Sequence, residues 1–322
     1  MARESQKRRD RLTTDSISTL QLTAGAARVA LLPALGGSIG GFVLGDRPIL
    51  RETPDEAVAD SNVRLSSCYP LVPYSNRIRE ARLTFGQRTF ALIRNFGDSP
   101  HAIHGVGWQH QWQVETATPT RATLSLHHDA RGDEAASWPW PFRATQTFDL
   151  ACANESFASL TVTLTIRNTG DSAFPFGLGW HPFFPRDPST TLQFAATDVW
   201  INDETALPIE RVAAQGRWAF HEPRPVGDAT IDNVFVGWNG RTILESVQRG
   251  VRATIEADSS CNCFVVYAPA GRDFVALEPV SHETDAFNRA EMGAIRTGMR
   301  LLGPRTAYSC TMRIAAAIVA SP

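Results

Sequence analysis

No stretch of this 322-residue sequence is long and apolar enough to cross a bilayer, and the opening run MARESQKRRDR lacks the hydrophobic centre of a secretory signal. An excess of one charge is missing too. Lys and Arg number 31 against 33 Asp and Glu, a formal net charge of -2, so no field favours nucleic acid or an anionic membrane. Cysteine is sparse and odd in number: Cys68, Cys152, Cys261, Cys263 and Cys310 are scattered along the chain, which is no disulfide framework. Cys261 and Cys263 stand two apart and would share a face if both lay on one strand. No second ligand pair follows at zinc-site spacing, so buried, reduced thiols are expected. These absences lead to the expectation of a soluble, cytoplasmic protein.

Long amphipathic helices are also missing, and the best helical candidate, ETDAFNRAEM at 283–292, is short. What recurs instead is alternation. In SFASLTVTLTIRNTG, Leu160, Val162, Leu164 and Ile166 share one face, and Thr161, Thr163, Thr165 and Arg167 the other. RATLSLHHD repeats the pattern with Ala122, Leu124 and Leu126, and RATQTFDLA repeats it with Ala144, Gln146, Phe148 and Leu150. VRATIEAD and CFVVYAPAG read as further strands. With 23 glycines and 20 prolines as punctuation, the pattern predicts an all-β fold, a large antiparallel β-sandwich with few short helices. No Gly-Ser linker, charge block or fixed-period repeat divides the chain. The expected organisation is a polar, disordered tail over 1–17 and one β-domain over 18–322. The segment 22–50 reads as two strands joined by a Gly-rich turn. GGSIGG within it is no phosphate loop, because neither a Lys-Ser/Thr pair nor a helix follows.

Polar and aromatic residues gather in a few stretches. CYPLVPYSNRIRE interrupts its apolar pattern with two prolines and the pair Asn76-Arg77; the guanidinium fork of Arg77 suits hydroxyl or carboxylate oxygens, or a structural ion pair. HAIHGVGWQHQW holds His101, His104, His110, Trp108 and Trp112. Its His-x-x-His spacing on a strand or loop does not converge on a metal, and no acidic ligand lies nearby. The glycine after His104 allows a backbone to approach a ligand closely. Trp108 and Trp112 are either stacking platforms for a sugar ring or core. SWPWPF adds Trp138 and Trp140 in a rigid loop. In ATIDNVFVGW, Asp232 precedes an aromatic strand. In AGRDFVALEPVSHETDAFN, Glu278 interrupts an apolar strand, sharing a face with Phe274 and Ala276, so it is either paired or functional. FGLGWHPFFP places His181 among aromatics. One His, one Glu, one Arg and many aromatics, with no cofactor or metal fingerprint and no Gly-x-Ser-x-Gly elbow, fit acid-base chemistry on a neutral polyol. Hydrolysis stays open, because Asp232 or Asp285 could supply the second carboxylate that a glycosidase needs beside Glu278.

Carried by PYSNRI, HAIHGVG, GWHPFF, DNVF and ALEPVSHETDAFN in that order, the sequence resembles the aldose 1-epimerase (galactose mutarotase) family over residues 18–316. The resemblance implies a large β-sandwich with a sugar cleft on one concave sheet. It also implies cofactor-free interconversion of α- and β-anomers of a free aldose, a small monosaccharide partner and no metal. In the roles it implies, Glu278 is the base that takes the C1 hydroxyl proton and His181 the acid that protonates the ring oxygen. Arg77, His104 and Asp232 hold sugar hydroxyls, and Asn76 and Trp108 join them as sugar contacts. Reference values of about 4.3 for Glu and 6.5 for His predict an ionised base beside a protonated acid. Three positions depart from the family's best-known pattern: Trp180 precedes His181, Phe183 stands at a Tyr position, and Val106 replaces a second glycine. Related readings on the same architecture are a hexose-6-phosphate epimerase, for which Arg79 and Arg82 would be the cations, and a non-catalytic sugar-binding protein.

Overall fold

In the computed structural model, which describes residues 19–289 and 297–319, the alternating stretches form two large antiparallel sheets. Nine strands build one of them, in the order Gln113–Ala117, Arg121–His128, Phe142–Asn154, Phe157–Asn168, Ala307–Ile318, Val251–Ala257, Arg241–Ser246, Thr190–Phe194 and Arg224–Pro225. Its long central strands show the predicted alternation. Leu160, Val162, Leu164 and Ile166 are fully buried. On the outer face, Thr163 bonds Thr311 at 3.1 Å and Thr165 bonds Ser309 at 2.7 Å across to the neighbouring strand. Gln146, the polar member of an inward row, is buried and donates from Nε2 to the Gly37 carbonyl at 2.9 Å.

The second sheet has eleven strands, with Cys68–Leu71, Gly179–Pro185, Phe274–Val280, Cys263–Ala268 and Ile231–Val236 side by side at its centre. Between the sheets lies the main apolar core, to which Trp180, Val275, Leu277, Phe264 and Val266 turn one face of these strands. Tyr69, Phe183, Ala276, Val265 and Val234 alternate with them and form a smaller apolar cluster on the opposite face. Both faces are covered there, so Phe274–Val280 reads as an almost continuous buried run rather than an alternating one. That second face carries the cleft described below.

The Gly-rich turn joins Ala27–Leu32 to Ser38–Leu44 as expected, and a strand rather than a helix follows it. Two expectations are corrected. Cys261 and Cys263 do not share a face: the strand begins at Cys263, which joins the smaller cluster, while Cys261 sits in the turn before it and reaches the main core. Residues 284–289 form turns rather than the start of a helix, and the rest of the ETDAFNRAEM segment lies outside the described residues, as does the tail expected over 1–17. Among the described residues no helix is long and apolar enough to cross a membrane.

Candidate active site

Strand register creates the central feature of the site. Gly179–Pro185 pairs antiparallel with Phe274–Val280, with Gly179 opposite Val280 and Phe183 opposite Ala276, which sets His181 directly across from Glu278. Gly179 permits this approach: a Cβ there would meet Val280 Cγ1 at 2.7 Å and the Pro279 carbonyl at 2.8 Å. His181 Nε2 lies 3.1 Å from Glu278 Oε1, and the two residues are 6% and 2% exposed. Their outer atoms, His181 Nδ1 and Glu278 Oε2, have no hydrogen-bond partner among the described residues. The His181 ring leans on Tyr69, its partner on the strand Cys68–Leu71, at 4.7 Å between centroids, and stacks on Phe183 at 4.4 Å.

Burial inverts the protonation expected from reference values. Removal from water is the largest influence on both groups, and it penalises whichever form is charged. His181 is pushed down to about 3, with the Arg51 and Arg64 charges adding to the effect. Glu278 is held well above the usual carboxylate range, with the Asp232 charge adding and the Arg77 charge opposing. The protein's own groups therefore favour a neutral pair, a Glu278 carboxylic acid donating to His181 Nε2. An ion pair holding the same single proton is the other arrangement of these two residues.

Asn76, Arg77 and His104 form one wall, and each is locked by its neighbours. Asn76 and His104 adopt left-handed backbone, at φ 55° and 61°. The Asn76 N–H donates to His104 Nδ1 at 3.0 Å and the His104 N–H donates to the Asn76 carbonyl at 2.9 Å. With Nδ1 accepting, the His104 proton resides on Nε2. Burial, reinforced by the His181, Arg77 and Arg64 charges, keeps this ring neutral, its pKa well below the ordinary histidine value. His104 meets His181 edge-on at 5.4 Å between ring centroids. Arg77 donates from Nη1 to Asn76 Oδ1 at 3.1 Å, and its carbonyl accepts the Asp285 N–H at 3.0 Å. Asp232 stands opposite Tyr267 on the next strand pair, where burial raises its carboxyl pKa and the Arg77 charge opposes the rise.

These groups open into a cavity of about 500 Å³ that His181, Glu278, Asn76, Arg77, His104 and Asp232 all line. Trp108 does not line it. Its indole is buried behind Tyr69, 5.7 Å away, with Nε1 donating to the Gly105 carbonyl at 3.2 Å, and the residue lines a smaller neighbouring cavity with Asn62 and Arg64. Gly105 likewise serves the fold: at φ 70°, a Cβ would lie 2.3 Å from the Val72 carbonyl oxygen, so the close approach is to that chain. Of the positions that depart from the family pattern, Phe183 lines the cavity, whereas Trp180 and Val106 face the main core.

Of the two candidate second carboxylates for hydrolysis, one lines the cavity and the other does not. Asp285 is buried away from the cavity, accepting from the Arg79 N–H at 3.0 Å and from Asn288 Nδ2 at 2.7 Å. Asp232 shares the cavity with Glu278, two strands away and two residues further along, and its charge helps raise the Glu278 pKa. Arg79 and Arg82 do not line the cavity; Arg79 is held by Asp285, 3.5 Å away. Sequence reasoning missed the lining residues Arg51, Arg64, Tyr267 and Arg272. For Tyr267 the signal was available, since it is two residues along the strand from Val265 and shares its face. The three arginines lie on connections, where no period reveals direction.

Known proteins share sequence and fold with this chain. The uncharacterized protein YphB of Escherichia coli K12 is 33% identical over 266 residues, 80% of this chain and 86% of YphB. The crystal structure of a putative aldose 1-epimerase from Escherichia coli K12 superposes with a TM-score of 0.82 at 28% identity, covering 94% of this chain and 99% of that one. A galactose mutarotase-like protein from Clostridium acetobutylicum shares the fold, with a TM-score of 0.81 at 17% identity over 94% and 95% of the two chains. The sequence model of the aldose 1-epimerase family matches residues 18–315, and the chain belongs to that family.

Proposed function

We propose that this protein interconverts the α- and β-anomers of an aldose by acid-base opening and closing of the sugar ring. The observation that carries the proposal is the His181–Glu278 pair, 3.1 Å apart at a cavity wall, a distance that suits one proton between them. In the ion-pair form, Glu278 accepts the C1 hydroxyl proton while His181 delivers its proton to the ring oxygen. The C1–O5 bond breaks and a C1 carbonyl forms. The protein is left as the neutral pair, the arrangement that burial favours, so the desolvated site stabilises the ring-opened state relative to the ion pair. Rotation about C1–C2 presents the other carbonyl face. Glu278 then returns its proton to O1, His181 recovers one from the C5 hydroxyl, and the ring closes as the other anomer. Protons and electrons balance within the sugar and two side chains. His104, a fixed Nε2–H donor beside His181, supports charge developing on the ring oxygen. Asn76, Arg77 and Asp232 offer donors and an acceptor to the hydroxyls.

The test follows freshly dissolved crystalline α-aldoses to anomeric equilibrium by polarimetry, with and without protein. A rate above buffer is expected for at least one sugar, and no acceleration across a panel of neutral and charged aldoses refutes the proposal.

A further inference from the structure

The cavity is cationic in a way that a neutral sugar does not require. Arg51, Arg64, Arg77 and Arg272 line it, against the carboxyl groups of Asp232 and Glu278, and burial favours the uncharged form of Glu278. None of these arginines lies within ion-pair distance, 4.0 Å, of a carboxylate among the described residues. Arg64 and Arg272 are exposed and their guanidinium groups make no hydrogen bond there; Arg64 rests 4.3 Å above the Phe96 ring. Arg51 donates from Nε and Nη2 to the carbonyls of Ser66 and Arg64, which leaves Nη1 without a hydrogen-bond partner among the described residues. Its guanidinium carbon sits 3.5 Å over the Phe183 ring, and that ring stacks 4.4 Å from His181. A fixed cation thus stands one aromatic ring away from the acid, within about 8 Å of the imidazole.

The charges are also sorted by position. Asp232 lies three strands from Phe183, about 14 Å across the sheet at the usual strand spacing. At the end of the cavity bounded by Phe183 and Phe274, Arg51 lies over both rings; the nearby Glu278 is favoured neutral by burial, and Asp273, whose charge acts on Arg51, does not line the cavity. Resting on the proposed ring-opening reaction, we infer that the substrate is an anionic aldose whose charged group is borne on C6. His181 addresses the ring oxygen, and C6 is two bonds from that oxygen through C5. A carboxylate at C6, or a phosphate ester on its oxygen, is thereby carried toward Arg51, with Arg64 and Arg272 closing from the rim. Planar guanidinium forks suit either group.

Four sugars distinguish the sources and the claim: glucose, galactose, glucuronate and glucose 6-phosphate. Anomer exchange is followed by NMR at low ionic strength, and affinity for each sugar is measured in parallel by calorimetry. An anionic sugar is expected to exceed its neutral counterpart in kcat/KM by about tenfold or more, the scale of one charge-assisted contact. A preference for glucuronate places a carboxylate at C6, and one for the 6-phosphate places an ester there. In the double variant Arg64→Gln/Arg272→Gln, both changes on exposed side chains, the anionic-to-neutral ratio is expected to fall about tenfold. It also falls with added salt in the unmodified protein. Exchange of neutral sugars with no gain for either anion overturns this inference and leaves ring opening standing. No exchange of any sugar, together with tighter binding of an anion, overturns the reaction and retains the anion site. A ratio unmoved by the double variant removes the arginines from the account.

Discussion

Replacing Glu278 with Gln separates catalysis from stability more cleanly than any other single change. The residue is 2% exposed and burial favours its neutral form, so the amide matches it in volume and charge. An amide N–H can also donate to His181 Nε2 across the same 3.1 Å gap. The exchange therefore costs the fold about 1 kcal/mol or less, the net worth of one neutral hydrogen bond. The amide cannot take the C1 hydroxyl proton, however, and loss of a positioned base lowers the rate about 10²- to 10⁴-fold, roughly 3–5 kcal/mol in the barrier. Linkage adds a second signature. Because burial raises the Glu278 pKa, the folded protein holds this proton more tightly than the unfolded chain does. That contribution is complete below the unfolded value of about 4.3 and drains away as pH rises toward the folded pKa. Glu278→Gln, which cannot titrate, should gain stability relative to the parent as pH rises from 4 to 9. Urea melts at several pH values read the stability, and polarimetry with the best sugar reads the rate. A near-parental rate refutes the base assignment, and a relative stability that falls with pH refutes the buried, proton-holding carboxyl.

Other perturbations probe the remaining geometry. The pH profile of kcat/KM should be bell-shaped: an acid limb appears as a second proton binds, far below the ordinary histidine range because His181 is pushed down to about 3. The alkaline limb, loss of the shared proton, should lie above the usual carboxylate range; a midpoint near 4.3 on that limb contradicts this. Gly105→Ala should destabilise by about 2 kcal/mol or more, since its φ of 70° and a 2.3 Å clash with the Val72 carbonyl cannot both be relieved. Rate should fall with it, as His104 is displaced, and a fully stable variant on thermal melting refutes the strain argument. Trp108→Phe should keep KM within about twofold while lowering stability by roughly 1–2 kcal/mol, because the indole packs behind Tyr69 outside the cavity; a large rise in KM restores it as a sugar contact.

The parts legible in the sequence are those governed by period. Leu160, Val162, Leu164 and Ile166 announced an inward face because the opposite face of that sheet carries Thr and Arg. Glu278 stood out for the complementary reason, a carboxyl inside a strand buried on both faces. Direction on the loops was not legible. Arg51, Arg64 and Arg272 differ in no local pattern from Arg79, yet they line the cavity and Arg79 is held by a buried aspartate. Trp108 and Trp180 illustrate the same limit, since a tryptophan behind a cavity wall and one within it are spelled alike. Protonation was misjudged from reference values because the decisive quantity, distance from water, belongs to the tertiary structure.

The opposition of His181 and Glu278 is fixed by the hydrogen-bond ladder of two neighbouring strands, with Gly179 facing Val280 and Phe183 facing Ala276. The reactive distance is thus a counting property of the chain. Deleting one residue from either strand would rotate its reactive group into the interior, while insertions in the connections would leave the pair aligned. Such an architecture separates what must be inherited intact from what is free to drift. The connections that carry Arg51, Arg64 and Arg272 can therefore be rebuilt without moving His181 away from Glu278.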